Sequence, residues 1–215
     1  MKLVMLGAPG TGKGTQGVRI SKDLNIPNIS TGDILRKAVS EETKLGIEAK
    51  QYMDQGKLVP DELIIGIVDE RIREKDCENG FILDGFPRTV PQAQALDEIL
   101  KATNDNIDFV LELVVGREQL VKRLTSRRVC ESCGKVYNVI SNPPPADSKC
   151  EACGGNIIQR SDDSEETVVN RLKIYEEKTK PLKEYYTAQD KLKEFDGNGT
   201  VEDVERSIRE FLEHK

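Results

Sequence analysis

Gly7-Ala-Pro-Gly-Thr-Gly-Lys-Gly-Thr15 follows directly on the apolar stretch Leu3-Val-Met-Leu6, and this junction decides the fold. It reads as a strand, a glycine-rich turn and a helix beginning near Lys13. A turn this tight needs residues that adopt positive φ or admit close backbone approach, and glycine does both. The N–H groups opening the next helix converge on anionic oxygens, and Lys13 adds a point charge for β/γ-phosphates. The spacing Gly7-x4-Gly12-Lys13 fits the P-loop pattern, making Gly10, Thr11, Gly12, Lys13, Gly14 and Thr15 candidate phosphate-binding residues. One departure stands out. The residue after the lysine is Gly14 and the hydroxyl comes at Thr15, which leaves open which hydroxyl serves metal and phosphate.

Outward from the junction, strands and helices alternate. Pro27–Ser30 reads as a short strand ending in the polar turn Ser30-Thr-Gly-Asp33, followed by helical spacing at Ile34–Val39 and a helix over 42–55. Pro60 opens a helix running to about Lys75. Phe81-Ile-Leu-Asp84 is a continuous apolar run ending in an acid, as expected of a buried parallel strand. A helix at Pro91–Lys101, a strand at Phe109–Val115 and a helix at Glu118–Ser126 follow. Beyond a cysteine segment, helix resumes at Ser164 and continues to about Gln189 with a break at Pro181. Lys191–Phe195 makes a last strand and Val201–Glu213 a last helix. This alternation implies an α/β fold, a parallel sheet covered on both faces. With no repeats and no low-complexity linker, the insertions interrupt one core.

The 215 residues can bury roughly 70% of their unfolded surface. A third of the chain is charged and the formal net charge is −6, a surface that repels nucleic acid and anionic membranes. Phosphate binding must therefore come from a local basic pocket. The N-terminal apolar run is too short for a signal peptide and no stretch reaches a membrane span of ~20 residues, so a cytoplasmic protein is expected. Two glycosylation-type triplets, at Asn28 and Asn198, are then chance.

Four of the five cysteines cluster: Cys130-x2-Cys133, sixteen residues, then Cys150-x2-Cys153. This spacing favours a four-thiolate zinc site over paired redox disulfides, and four protein ligands make the metal structural. The segment 127–163 reads as a small β insertion held by Zn²⁺. Cys77 stands alone as a partly buried small residue.

Asp84 ends a buried strand behind a phosphate loop, a placement suited to the water shell of Mg²⁺. In Asp84-Gly-Phe-Pro-Arg-Thr89 a rigid bend brings Arg88 out at the carboxyl end of the sheet, where open α/β sheets bind ligands. Arg36, Arg88, Arg123, Arg127, Arg160 and Arg171 fall near loop ends or beside the insertions. Phosphoryl transfer needs alignment and positive charge around the moving group, and guanidinium forks supply both. Arg71, Arg73 and Arg128 read as surface residues. His214, the only histidine, reads as a solvated helix end, which argues against histidine base catalysis.

Four separated motifs resemble those of adenylate kinases, in order and over essentially the whole chain: Gly7 to Gln16, Ser30-Thr-Gly-Asp33, Asp84 to Thr89 with Gln92, and Arg160-x-Asp162-Asp163. The closer likeness is to the bacterial form with a long, zinc-bearing lid. That resemblance implies a five-stranded P-loop kinase whose core comprises 1–29, 60–126 and 164–215. It further implies an AMP-binding insert at 30–59, a zinc lid at 127–163, and reversible transfer from MgATP to AMP giving two ADP, which serves adenine nucleotide balance. It places Thr31, Arg36, Lys57, Leu58, Val59, Gly85, Phe86, Pro87, Arg88, Gln92, Arg160 and Arg171 at AMP, with Gln92 on the adenine edge. Gly10 to Thr15, Arg127, Val136, Tyr137 and Gly199 fall to ATP, with Tyr137 flanking it. Lys13, Arg88, Arg123, Arg127, Arg160 and Arg171 become the catalytic cations. Asp162 and Asp163 are left to lid closure or to polarity near the metal. ATP and AMP are the implied partners, with a monomer expected and neither nucleic acid nor membrane.

Two other readings compete. A kinase for UMP or CMP shares the architecture, but its sequences resemble Ser-Ala-Gly-Asp at 30–33 and carry a shorter amide at 92, so Thr31 and Gln92 favour adenine. GTP stays an alternative donor, because the donor base is read largely by backbone. A zinc-ribbon module using nucleotide as a switch would need the basic stripe that this surface lacks.

Overall fold

The computed structural model describes residues 1–214. In chain order its strands are β1 (Lys2–Leu6), β2 (Asn28–Ser30), β3 (Phe81–Asp84), β4 (Phe109–Val114), β5 (Arg127–Cys130), β6 (Val136–Asn138), β7 (Ile157–Ile158) and β8 (Leu192–Asp196). Its α-helices are α1 (Lys13–Leu24), α2 (Thr31–Ser40), α3 (Lys44–Met53), α4 (Asp61–Ile72), α5 (Val90–Lys101), α6 (Arg117–Thr125), α7 (Glu165–Ile174), α8 (Leu182–Thr187) and α9 (Val201–Glu213).

Five strands form the parallel sheet, in the order β2-β3-β1-β4-β8. Alternate residues of each strand enter opposite layers. Val4, Leu6, Ile29, Leu83 and Val110 pack with Leu96, Leu182 and Tyr186, whereas Leu3, Met5, Ile82 and Leu111 pack with Ile20, Val204 and Ile208. Both layers are buried, which explains why the strands are near-continuous apolar runs. Burying each such side chain contributes ~1.5–3 kcal/mol.

Five helix starts share one device. Ser30, Thr43, Thr89, Ser164 and Thr200 each accept a bond from the backbone N–H three residues on, a cap worth ~1 kcal/mol. At Ser30 this corrects the expected polar turn: Thr31-Gly-Asp33 is the first turn of α2. The predicted helix over 42–55 starts at Lys44, because Glu42 adopts φ 52° and separates α2 from α3. A side chain at Gly46 would overlap the Ala38 carbonyl, so those two helices lie against each other through bare backbone. The helix predicted for 164–189 with a break at Pro181 runs regularly as α7 to Ile174 and resumes beyond Pro181 as α8. A π turn over Tyr175–Thr179 lies between them, with Lys180 N–H donating to Tyr175 O at 2.9 Å. Pro181 has no N–H and its ring excludes the carbonyl four residues back, which displaces the ladder just before it.

The register aligns Met5 and Ser30 with Asp84. The loops after β1, β2 and β3 therefore leave the same edge of the sheet. Strands β5, β6 and β7 form a separate antiparallel sheet in the order β6-β5-β7, the small β insertion expected from the cysteine segment. Among the described residues no helix is long and apolar enough to cross a membrane.

Candidate active site

The loop between β1 and α1 winds through three glycines of positive φ: Gly7 (136°), Gly10 (89°) and Gly12 (100°). A Cβ on Gly7 would stand 2.5 Å from the Leu113 carbonyl, and one on Gly10 2.9 Å from Leu124 Cγ, so the loop lies flat against β4 and α6. Lys13 Nζ curls back to donate to Gly7 O at 2.7 Å and Ala8 O at 2.9 Å. Burial pushes its ammonium down to about 8; Asp84 opposes the shift, while Arg88, Arg171 and Arg127 add to it. The unusual Gly14 has a local cause. A Cβ there would sit 3.2 Å from Asp84 Oδ2, so the missing side chain leaves room for the carboxylate. Thr11 is buried and its hydroxyl donates to Ala8 O at 3.0 Å, whereas Thr15 is exposed and open to a ligand.

Asp84 closes β3 at the same edge. Burial raises its pKa, and the nearby charges of Lys13 and Arg88 hold it back. Arg88 Nε donates to Gly85 O at 2.7 Å, across a turn in which Gly85 takes φ 81° and the Phe86–Pro87 peptide is cis. Arg88 is lowered to about 10, first by burial and then by Arg171, with Arg36 adding. Arg160 is likewise lowered to about 10 by burial, then by Arg36 and Arg127, and its Nε is buried without an acceptor. Arg36, Arg88, Arg127, Arg160 and Arg171 therefore share one electrostatic neighbourhood with Lys13. Sequence spacing could not show this convergence.

Their orientation depends on acids. Asp163, whose side chain is 0% exposed, accepts a fork from Arg127 (Nε and Nη2, both 2.7 Å) and a third bond from Arg171 Nη1 at 3.0 Å. Asp162 receives Arg171 at 3.1 Å; burial alone would raise it, but Arg171, Arg36 and Arg127 hold it below the usual carboxylate range. These two acids thus anchor the arginines. Asp33, which the sequence marked only as part of a motif, accepts from Arg36 at 2.6 Å and lies 3.9 Å from Arg160.

A cavity opens beside this cluster. Thr31, Arg36, Lys57, Leu58, Val59, Gly85, Arg88, Gln92 and Arg171 line it, together with Met53 and Ile64. Phe86 is buried in the core below and Pro87 is buried in the turn. Thr31 is also buried and donates to Gly85 O at 3.0 Å. Gln92 Nε2 donates to Asp61 Oδ1 at 2.6 Å, and its Oε1 accepts from the Arg88 N–H at 2.7 Å. Asp61 was missed in the sequence, where it looked like an ordinary acid at a proline-opened helix start.

Other predicted residues lie on the rim. Arg123 Nη2 donates to Gly197 O at 3.0 Å, and a Cβ on Gly197 would meet Thr11 O at 3.4 Å, so Arg123 borders the phosphate loop. Gly199 sits in the turn leading into α9, next to Asp203. Val136 is exposed on β6. Tyr137 requires a correction: the whole residue is buried, its ring packed among Cys130 and Cys150, so its side chain is turned to the cysteine cluster and does not flank an open nucleotide site. Its hydroxyl donates to Cys150 Sγ at 3.4 Å and accepts from the Glu151 N–H.

The four sulfurs of Cys130, Cys133, Cys150 and Cys153 lie within 4.8 Å of one another. A tetrahedral ion with Zn–S bonds of ~2.3 Å needs sulfurs about 3.8 Å apart, so the set fits zinc. Both knuckles close alike: Gly134 N–H donates to Cys130 O at 3.0 Å and Gly154 N–H to Cys150 O at 2.7 Å, each glycine at a left-handed φ. Cys77 lies elsewhere, 3% exposed beside Arg71, with its thiol pushed up to about 11 by burial. Arg71 is bound to Asp76, so it is tied down more than a free surface residue.

A protein-family model described as adenylate kinase matches residues 5–191. Among curated proteins, the adenylate kinase of Archaeoglobus fulgidus is 54% identical over 213 residues, covering 99% of this chain and 98% of the relative. That of Carboxydothermus hydrogenoformans is 53% identical over 99% and 100% of the two chains. That of Thermodesulfovibrio yellowstonii is 51% identical over the full length of both.

Proposed function

The chain belongs to the adenylate kinase family and transfers a phosphoryl group reversibly between ATP and AMP to give two ADP; we propose that it does so with the acceptor in the cavity lined by Thr31, Arg88 and Gln92. The donor phosphates then lie on Gly10 to Thr15. One observation carries this reading. Five arginines and Lys13 gather at one sheet edge, and Arg160 keeps a buried Nε with no acceptor. Buried donors are almost always satisfied, so an orphan here points to an oxygen supplied by the substrate.

Each residue then has a physical task. Lys13 and the loop N–H groups hold the donor phosphates. Arg36 and Arg88 hold the acceptor phosphate, and Arg123, Arg127, Arg160 and Arg171 surround the group that moves. Thr31, Gln92 and the segment Lys57–Val59 enclose the acceptor base, while Val136 and Gly199 border the donor. Asp84 is the carboxylate suited to the water shell of the Mg²⁺ that accompanies ATP, an ion that supplies charge neutralisation at the phosphates. Little covalent work is left to the protein beyond alignment and charge.

The units 30–59 and 127–163 act as two covers over the core. Support comes from their shared rim, where Arg160 approaches Asp33 and Ser161 Oγ donates to Asp54 Oδ1 at 3.3 Å, while Asn170 Nδ2 on the core helix α7 donates to Gln55 O of the first cover at 2.6 Å. Closing both excludes water, which would otherwise take the γ-phosphoryl group. The four cysteines hold a structural Zn²⁺ that orders the second cover.

Parallel assays of MgATP with AMP, CMP, UMP and GMP test the acceptor site, in the wild type and in Arg88→Lys. Transfer to AMP, with a rise in AMP KM and an unchanged MgATP KM in the variant, is the expected result. An Arg88→Lys enzyme indistinguishable from wild type would remove Arg88 from the acceptor phosphate.

A further inference from the structure

The amide of Gln92 is held in one orientation. Its side chain, only 2% exposed, carries two donors on Nε2 and two lone pairs on Oε1. Asp61 Oδ1 takes one donor at 2.6 Å, and the Arg88 backbone N–H takes one lone pair at 2.7 Å. One N–H and one lone pair remain on a residue that lines the cavity.

Neither partner tolerates the reverse orientation. An ionised carboxylate only accepts and a backbone N–H only donates. Turning the amide over would set Oε1 against the Asp61 carboxylate and Nε2 against the Arg88 N–H, replacing two bonds by two repulsions. Asp61 is itself fixed, because its Oδ2 accepts from Thr89 Oγ1 at 2.9 Å and it stands in the first turn of α4, where the helix dipole favours an anion.

Adenine presents an amino donor at N6 beside an acceptor at N1, which the remaining lone pair and N–H complement. Guanine presents the opposite order, an acceptor at O6 beside an N1–H donor. To bind guanine in the same place, the amide would have to turn over. We propose that Asp61 is a positioning residue for base selection: by locking the Gln92 amide it makes the acceptor site accept adenine and reject guanine. The inference rests on Gln92 meeting the acceptor base.

The test compares kcat/KM for AMP and for GMP, at saturating MgATP, in wild type, Asp61→Asn, Gln92→Ala and the double variant. Asparagine keeps the shape of Asp61 but can turn its own amide to serve either orientation of Gln92, so one of the two constraints on the amide is released and only the Arg88 N–H still opposes the turn. Asp61→Asn should lower the AMP-to-GMP ratio about tenfold, because guanine then meets one mispaired contact, at the Arg88 N–H, in place of two. The loss should appear chiefly in the KM for AMP, with the KM for MgATP unchanged. Gln92→Ala should lower the ratio at least as much, and the double variant no further than that. A purely structural role for Asp61 would reduce both acceptors in proportion, and an unchanged ratio in a folded Asp61→Asn overturns the proposal. If Gln92→Ala itself keeps the wild-type ratio, the placement of Gln92 at the base fails, and the inference with it. Asp61→Ser, whose hydroxyl also serves either orientation, carries the same expectation should the asparagine variant fold poorly.

Discussion

Replacing Asp163 by asparagine tests how far the arginine cluster depends on one enclosed acid. The carboxylate receives three bonds from two guanidinium groups, and none of its side chain reaches solvent. Asparagine preserves the shape but turns one oxygen into an amino group. If the nitrogen replaces Oδ2 it faces Arg127 Nε–H; if it replaces Oδ1 it faces both Arg127 Nη2 and Arg171 Nη1. The first is less costly, and it still removes a charge-assisted bond and leaves two cations sharing a neutral acceptor. A charge-assisted bond is worth ~1.5–3 kcal/mol, and removing one partner of a buried pair costs ~3–5 kcal/mol. Arg127 and Arg171 are each 18% exposed, so water relieves part of the stranded charge and the lower end, about 3 kcal/mol, applies. In a chain of this size ~1 kcal/mol moves Tm by ~2–4 °C, giving a fall of about 6–12 °C. Scanning calorimetry of the nucleotide-free protein measures it, with Glu98→Gln as control. That pair, Lys101–Glu98, is about three-quarters exposed on both sides and should move Tm by less than ~2 °C. A shift for Asp163→Asn no larger than the control would refute the argument that burial gives this acid its weight.

Further perturbations probe separate parts of the chain. Lys13 sits near 8 when folded against 10.5 ordinarily, so the unfolded chain binds its proton more tightly and stability contributed here is missing below about pH 8 and recovered toward pH 10.5. Polyphosphate binding should restore the ammonium, so calorimetry at pH 8 in buffers of different ionisation heat should register an uptake of about half a proton. Chelating zinc should lower the Tm while phosphotransfer persists below the new transition; complete loss of activity in the still-folded, stripped protein would contradict a structural metal. Gly66 on α4 has open space around its Cβ position and no positive φ, so Gly66→Ala should raise stability by ~0.5–1 kcal/mol. Gly46→Ala should instead destabilise strongly, because its Cβ overlaps the Ala38 carbonyl; both are read from Tm.

The parts of this molecule written in local chemistry were legible from sequence. The phosphate loop, the five sheet strands and the four cysteines each depend on residue type and spacing, and each stands where the pattern put it. What escaped depends on three-dimensional partners. Ser30 looked like a turn residue because Ser, Thr, Gly and Asp favour turns and helix caps alike, and only the Asp33 N–H decides between them. The ring of Tyr137 looked available because a tyrosine on a short strand carries no mark of facing a thiolate cluster. Asp61 carries no distinctive spacing, and Asp163 stood in a motif that named no partner for it. Their weight comes from Gln92, Arg127 and Arg171, which reach them from positions up to thirty-six residues away.

The same geometry bears on when the covers close. Arg88 and Arg160, held near 10 by burial and by neighbouring guanidinium groups, show that positive charge is gathered here against its own desolvation and repulsion. Asp162 and Asp163 neutralise only part of it. On the proposed motion, lowering 127–163 brings Arg127 and Arg160 toward Arg36 and Arg88, so closure without ligand adds like charge to like charge. Phosphate oxygens reverse that sign, and the shift they produce can be no larger than their differential affinity for the closed arrangement. On the proposed placement one nucleotide would satisfy one side of the cluster, and only the pair would supply acceptors to all the forks, including the orphaned Arg160 Nε. Water is then excluded most completely when both donor and acceptor are present, which is the condition under which transfer competes best with hydrolysis.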